Sequence, residues 1–242
     1  MTALVAQART ELTLTLRNGE QLLLTLGIPV LILTFFSLIE VLPLPEGTDD
    51  PVDFLAPGVL ALAVLSTAFT SLAIATGFDR EYHVLKRLGA TPLGRPRLLA
   101  AKTASVLVVM AIQTGVLVAV AMALGWRPDL DPVPLAAGIV LATVAFAGLG
   151  LLMAGTLPGL VTLAAANGVY VVLLLFGDMV IPLESMPDPL AAAAALLPTA
   201  ALVELLRAGF DADHTANTAA WLVLAAWAVA APVAAARWFR WE

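Results

Sequence analysis

Six long apolar stretches alternate with short polar segments along the 242-residue chain. They cover approximately residues 22–44, 54–78, 98–124, 135–156, 160–177 and 216–236. Each reaches the length of about 17–20 residues that an α-helix needs to cross a hydrocarbon core roughly 30 Å thick. The pattern therefore predicts an all-α polytopic membrane protein with six transmembrane helices.

A shorter pattern of helical period precedes the first stretch. Between residues 2 and 20, apolar side chains recur on one side of a helix and polar side chains occupy the other. The apolar members are Leu4, Val5, Ala8, Leu12 and Leu16. This pattern predicts an amphipathic helix in the membrane plane, and a frayed terminus is the alternative.

Composition supports a membrane protein and excludes several functions. The chain is 61% hydrophobic and only 12% charged, about half the charged fraction of soluble domains. It has no cysteine, and its two histidines, His83 and His214, lie far apart in sequence, so no metal site or thiol chemistry is predicted. No nucleophile–base pair and no phosphate-binding G-x-x-x-x-G-K-[ST] loop occur, so we expect neither an enzyme nor a directly bound cofactor.

Charge is distributed unequally between the two predicted sides of the membrane. If the N-terminus is cytoplasmic, ten of the twelve basic residues fall inside, and thirteen of the eighteen acidic residues fall outside. The positive-inside rule then predicts that both termini are cytoplasmic. The alanine-rich, lysine-poor composition is typical of a bacterial protein, which indicates the bacterial plasma membrane.

The most charged stretch is FDREYHVLKRLGATPLGRPR, residues 78–97. Tyr82, Leu85 and Leu88 are spaced by three, which predicts a short helix over residues 79–90. Gly89 suits its end and Pro92 prevents a long continuation. The alternative is that the stretch is only a basic anchor that fixes topology.

A second distinctive stretch follows the fifth apolar segment. Asp188 and Pro189 are typical of a helix start, and the helix predicted over residues 189–197 would be about 13 Å long, too short to cross a membrane. Pro198 ends it, and Thr199 is predicted to cap a second helix that runs to about Ala208. The two helices would dip into the outer leaflet and return, unless the segment is an ordinary outer loop.

A few polar residues lie within or beside the apolar stretches. Glu204 and Arg207 are three residues apart and are expected to pair on one helix face. Gln113 and Asn167 are predicted to form hydrogen bonds between helices rather than to contact substrate. The small residues of AFAGLGLLMAGTLPG predict close helix packing.

Two motifs resemble the ABC-2-type transporter permease family. Asp79, Arg80 and Glu81 match the acid–base–acid triplet of its cytoplasmic coupling segment, although His83, Val84 and Lys86 replace a Gly, a Thr and a Glu. The matching positions after the triplet are Leu85, Leu88, Thr91, Pro92 and Leu93. The outer motif is carried by Pro182, Leu183, Glu184, Ser185, Met186, Pro187, Pro198 and Thr199.

The resemblance implies a single permease domain over residues 1–242. Its parts would be an elbow helix (1–21), a coupling segment (79–97) and outer re-entrant helices (178–210). The ATPase-coupling residues would be Asp79, Arg80, Glu81, Leu85, Lys86, Arg87, Leu88, Thr91 and Pro92, with Leu85 and Leu88 as apolar anchors. The outer gate would comprise Pro182, Glu184, Pro187, Pro198, Glu204 and Arg207.

The implied partners are a second permease copy (identical or a close paralogue), separate ATPase subunits that bind ATP and Mg²⁺, and membrane lipid, with no nucleic acid. The implied function is ATP-driven export of an amphipathic drug, lipid or lipid-linked glycan. Two alternatives remain open at this point. One is a membrane-embedded assembly factor or chaperone without an ATPase, and the other is a lipid-modifying enzyme that uses the region from Glu184 to Asp188.

Overall fold

The structure is a computed structural model that describes residues 3–19, 23–39, 51–89, 94–179, 181–211 and 213–240. Within these ranges the chain forms helices and turns and contains no strand. The predicted all-α fold is therefore confirmed.

Ten helices follow one another along the described residues. They are α1 (Ala3–Arg17), α2 (Leu23–Leu38), α3 (Pro51–Glu81), α4 (Val84–Gly89), α5 (Arg95–Ala123), α6 (Pro132–Thr156), α7 (Gly159–Phe176), α8 (Asp188–Ala194), α9 (Pro198–Phe210) and α10 (Thr218–Trp238). A 3₁₀ turn, Leu183–Ser185, precedes α8. Helices α5, α6 and α7 are joined by short connections and alternate in direction. The helix bundle therefore has two opposite ends, one at each side of the membrane.

We name these ends by their charge. The basic end holds Arg80, Lys86, Arg87, Arg97 and Lys102, and the acidic end holds Asp129, Asp131, Asp178, Glu184 and Asp188. A backbone hydrogen bond from Arg240 N to Gly155 O at 3.0 Å joins the ends of α10 and α6 at the basic end. A similar bond from Asp131 N to Gly209 O at 3.1 Å joins α6 and α9 at the acidic end.

Five described helices, α3, α5, α6, α7 and α10, are long and apolar enough to cross a membrane. They correspond to five of the six predicted spans. The exception is the first prediction, 22–44, where the described helix α2 has 16 residues and a length of about 24 Å. Residues 40–50, which include the end of this predicted span, lie outside the described residues.

Helix α6 lies at the centre of the bundle and packs against α3, α5, α9 and α10. The close approach of α6 to α10 and α3 requires glycine in α6. A Cβ at Gly148 would lie 2.5 Å from the nitrogen of Pro232 in α10, and a Cβ at Gly150 would lie 2.8 Å from the carbonyl oxygen of Phe69 in α3. The close packing predicted for this small-residue stretch is confirmed.

Two helices contain π-helical turns, and one buried side chain connects them. The turns are Leu23–Gly27 in α2 and Leu65–Ser71 in α3. Gln113 of α5 donates from Nε2 to the Thr25 carbonyl at 2.6 Å and accepts from the Thr67 hydroxyl at 3.1 Å. Local π turns occur frequently at functional sites, and here Gln113 holds two of them together.

The predictions for the two deep amides therefore have different outcomes. The interhelical hydrogen bond predicted for Gln113 is confirmed. Asn167 instead donates to the Leu163 carbonyl of its own helix at 2.8 Å and is exposed. The prediction for Asn167 is therefore wrong, because its exposed side chain bonds to the carbonyl one turn earlier in α7 instead of to another helix.

The amphipathic N-terminal helix is present as α1 and packs along α5. Its packed face differs from the predicted one, because Val5 and Leu16 are exposed while Glu11 and Thr15 are partly buried. The difference arises because Glu11 has a charged partner on α5.

Candidate functional site

The Asp79–Arg80–Glu81 triplet ends the long helix α3 instead of starting a separate helix. The prediction of one helix over residues 79–90 is wrong, because a turn at Tyr82 and His83 separates α3 from α4. His83 has a φ of 61°, a left-handed conformation that a continuing right-handed helix does not allow. The triplet is thus rigidly attached to a transmembrane helix, and α4 forms a second, short unit.

Asp79 belongs to a three-residue charge cluster. Its Oδ2 lies 3.0 Å from Nζ of Lys102 on α5, and the same Nζ lies 3.1 Å from the carboxylate of Glu11 on α1. Lys102 is only 2% exposed. A buried ammonium is stable only with charged or hydrogen-bonding partners, so the cluster fixes α1, α3 and α5 to one another.

Arg80 binds the carboxyl end of α6. Its Nη1 donates to the carbonyl oxygens of Ala154 and Leu157, at 3.2 and 3.1 Å. The last carbonyls of a helix lack partners within the helix and carry partial negative charge. A guanidinium at this position therefore caps α6 and attaches it to the end of α3.

Glu81 lies against the amino end of α7. Its carboxylate contacts Gly159, the first residue of α7, at a distance that leaves no room for a Cβ. The amino end of a helix favours a negative charge. Three consecutive residues thus contact three different parts of the bundle: Asp79 contacts the α1–α5 cluster, Arg80 contacts α6, and Glu81 contacts α7.

Helix α4 presents basic side chains away from the bundle. Lys86 and Arg87 are exposed, and Tyr82, 70% exposed, stacks on Phe78 with ring centroids 6.0 Å apart. Leu85 is fully buried in the core of this chain. The prediction of Leu85 as an apolar anchor for a partner is corrected accordingly, because its side chain has no free surface.

Three other predicted coupling residues, Leu88, Thr91 and Pro92, follow Leu85 in the sequence. Leu88 is partly buried and packs against the same core. Thr91 and Pro92 lie outside the described residues, as does Leu93.

At the acidic end, α8 and α9 form the bent pair that the prolines predict. Their axes differ by 79°, and either both helices together form one broken span or they form a re-entrant loop. Pro187 directly precedes α8 and Pro198 is the first residue of α9. Proline fits these positions because residues before the helix and in its first turn need no N–H donor for the helix.

The predicted caps of these helices differ from the observed ones. Asp188 is the first residue of α8, and no side-chain hydrogen bond caps this helix. Thr199 lies inside α9 and is buried without a hydrogen-bond partner for its hydroxyl, so it does not cap the helix. Proline alone sets both starts.

Arg207 pairs with Asp178 and not with Glu204. Its Nη1 lies 2.7 Å from Oδ2 of Asp178, whose Oδ1 accepts from the Leu183 amide at 3.0 Å. Glu204 instead accepts from the Asn217 amide at 3.1 Å and lies 3.3 Å from Nε2 of His214. The predicted Glu204–Arg207 pair is therefore wrong, because each side chain meets a better-placed partner from a distant segment.

Asp178 is an unusual residue in both burial and backbone. Its side chain is 6% exposed, and its φ is 62°. A non-glycine residue in this conformation is uncommon and is often found at functional positions. Asp178 joins the end of α7 to the 3₁₀ turn that contains Glu184 and follows Pro182.

The sequence pattern does not predict the Lys102–Asp79–Glu11 cluster or the Asp178–Arg207 pair. The only signals in the sequence are Lys102, a single lysine inside an apolar stretch, and Asp178, a single aspartate at the end of another.

Among the described residues, no group of three or more His, Asp or Glu side chains could hold a metal ion.

The apolar helices, with polar contacts concentrated at the basic and acidic ends, define a polytopic α-helical membrane protein. Residues 2–210 match the family described as ABC-2 type transporter. The chain belongs to this family, and it is therefore a permease component of an ABC transporter, the part that lacks the ATPase site. Comparison with curated proteins gives no match.

Proposed function

We propose that this chain is the permease of an ATP-driven exporter and that separate ATPase subunits bind at its basic end. The observation that supports this most strongly is the division of contacts among Asp79, Arg80 and Glu81. A force applied at the end of α3 would reach α1, α5, α6 and α7 through direct polar contacts.

The surface offered to the ATPase is the docking face, which we define as Tyr82, His83, Val84, Lys86 and Arg87. These side chains are all exposed and lie on or directly before α4. Within the described residues they combine an aromatic ring, an aliphatic side chain and two cations, which are suited to an acidic or mixed partner surface.

The inward-facing members of the predicted coupling set have a different role in this proposal. Asp79 and Arg80 transmit the movement of α4 to the bundle, and Leu85 holds α4 against the core. A shift of α4 then moves the helices as rigid bodies, which is a common way to couple distant sites.

Orientation follows from the charge asymmetry. In this proposal the basic end faces the cytoplasm and both chain termini lie on that side, which the distribution of lysine and arginine supports. The protein then spans the bacterial plasma membrane, where the ATPases bind ATP and Mg²⁺ in the cytoplasm.

A second permease copy completes the translocation path in this proposal. Few residues of α7 and α10 are buried within the chain, so these helices have apolar faces for lipid or for a second copy. The apolar interior is suited to an amphipathic substrate, such as a drug, a lipid or a lipid-linked glycan.

The first test is co-purification of an ATPase with tagged protein from native membranes. Arg87→Glu reverses a charge on the docking face and should reduce the recovered P-loop ATPase by about tenfold, if it breaks one charged contact of about 1.4 kcal/mol. Arg237→Glu makes the same change on an exposed residue of α10 at the basic end and should leave recovery unchanged.

Equal recovery of the ATPase with both variants would contradict the assignment of the docking face. Absence of any ATPase from wild-type preparations, repeated with a crosslinker, would favour the assembly-factor alternative instead.

A further inference from the structure

A cavity of about 430 Å³ lies at the acidic end, separate from the basic-end contacts described above. Its walls come from α2, α3, α7 and α9 and are mostly apolar, with Ile32, Phe36, Leu62 and Val203 among them. The volume falls within the range of about 300–1,000 Å³ that is typical of small-molecule sites. The half-open cavity could therefore hold part of an apolar molecule of moderate size.

The polar part of this cavity is the Asp178–Arg207 pair, since both residues line it. Both carboxylate oxygens of Asp178 are engaged, because one accepts from Arg207 and the other from the Leu183 amide. Arg207 uses one N–H for Asp178, and its side chain is 41% exposed. A guanidinium has five N–H donors in a planar arrangement that matches phosphate oxygens.

The pair also limits the charge of the ligand. Asp178 and Arg207 are neutral as a unit, so a head group with acceptor oxygens and no net charge adds no uncompensated charge to this partly buried place. Acceptor oxygens next to an apolar body describe a membrane phospholipid with a zwitterionic head.

We propose that this cavity binds a zwitterionic glycerophospholipid, with one acyl chain among the apolar walls and its phosphate at Arg207. The site requires neither the ATPase nor transport. It therefore stands or fails independently of the proposed exporter function.

Gly58 provides a selective way to block the cavity. It lines the cavity, and a Cβ built on it meets no atom within 4 Å. Gly58→Leu therefore adds an aliphatic side chain to the cavity without a clash at its Cβ. Gly168→Leu is the matched control, because Gly168 is an exposed helical glycine of α7 that also has no atom within 4 Å and does not line the cavity.

The measurement is native mass spectrometry of the delipidated full-length protein with an equimolar mixture of dioleoylphosphatidylethanolamine and dioleoylglycerol. These two lipids share their acyl chains and differ in the phosphate head. Wild-type protein and Gly168→Leu should retain the phospholipid about tenfold better than dioleoylglycerol, as expected for a hydrogen bond to a charged group. Gly58→Leu should lose this retention.

Arg207→Lys tests the head-group contact. Lysine keeps a cation beside Asp178 but lacks the additional planar donors, so the preference for the phospholipid should fall severalfold while acyl-chain binding persists. Equal retention of both lipids by wild-type protein, or no retention of either, would overturn the proposal. Unchanged retention in Gly58→Leu would show that lipid binds elsewhere and would overturn it as well.

Discussion

The ammonium group of Lys102 lies 3.0 Å from the carboxylate of Asp79, although 23 positions separate the two residues in sequence. Glu11, 91 positions from Lys102, completes the cluster from the other side. The N-terminal helix is thus attached to the end of α3 through a single buried cation. Movement at this end of α3 would therefore be shared by α1 and α5.

Substitutions in the Lys102–Asp79–Glu11 cluster should lower the free energy of unfolding by different amounts. Lys102 is buried, whereas the side chains of Glu11 and Asp79 are 19% and 37% exposed and reach solvent. Neutralising both carboxylates, with Glu11→Gln and Asp79→Asn together, leaves a buried ammonium without a counter-ion and should cost about 3–5 kcal/mol. Lys102→Met should cost less, since the two carboxylates retain hydration.

Thermal unfolding in detergent, followed by tryptophan fluorescence, measures this order. The double variant should have the lowest apparent melting temperature of the three proteins. A lower melting temperature for Lys102→Met than for the double variant would contradict the assignment of Lys102 as the buried member.

Gly159 predicts a specific steric conflict with Glu81. Gly159→Ala places a methyl group where the Glu81 carboxylate lies. Because this carboxylate ends a flexible, exposed side chain that can turn away, we expect a loss of only about 0.3–1 kcal/mol, from its contact with the amino end of α7. Gly168→Ala, in open space on the same helix, should be neutral or stabilising because alanine favours helix.

A second substitution separates this steric conflict from a general defect of α7. Glu81→Ala removes the conflicting carboxylate, so Gly159→Ala should cost little further stability in the Glu81→Ala background. Strictly additive effects of Glu81→Ala and Gly159→Ala would show that the two residues are not in contact.

Removing the buried hydrogen bonds of Gln113 should lower stability, and the neighbouring residue Thr114 provides the control variant. Gln113→Leu leaves the Thr67 hydroxyl without its acceptor and the Thr25 carbonyl without this donor, with an expected loss of about 1–3 kcal/mol. Thr114→Val removes a buried hydroxyl that has no partner and should be neutral or slightly stabilising. The melting temperatures of the two variants test this difference, and equal losses would contradict the role of Gln113.

The left-handed backbone conformation of Asp178 predicts which substitutions at this position preserve stability. Asparagine tolerates the left-handed conformation and keeps an acceptor for Leu183, whereas alanine keeps neither. Asp178→Asn should therefore be more stable than Asp178→Ala by about 1–2 kcal/mol. Equal stability of the two variants in thermal unfolding would show that neither the backbone conformation nor the hydrogen bonds matter.

Much of the helical frame was accessible from the sequence because apolar length is a local property. Five spans were found in this way, and the positions of Pro189 and Pro198 predicted the bent pair α8–α9. The predictions that failed concern contacts between residues far apart in sequence. Nothing local indicates that Arg207 prefers Asp178 to Glu204, since the choice depends on how α7 ends relative to α9.

The coupling segment shows the same limit. A spacing of three places Tyr82, Leu85 and Leu88 on one face only if the helix is continuous, and the left-handed His83 interrupts it without a glycine to mark the break. Leu85 is consequently buried while Tyr82 is exposed. The acid–base–acid triplet was recognised by its pattern, but its three separate partners depend on the packing of the whole bundle.

The most direct test of the central claim is crosslinking from the docking face in native membranes. Because the chain contains no cysteine, Tyr82→Cys introduces a single thiol at an exposed position, and Arg237→Cys serves as the control at the same end. We expect a thiol-reactive photocrosslinker at position 82 to capture an ATPase with a P-loop, identified by mass spectrometry, and position 237 to capture much less. Capture of the ATPase equally from both positions, or from neither, would contradict the account.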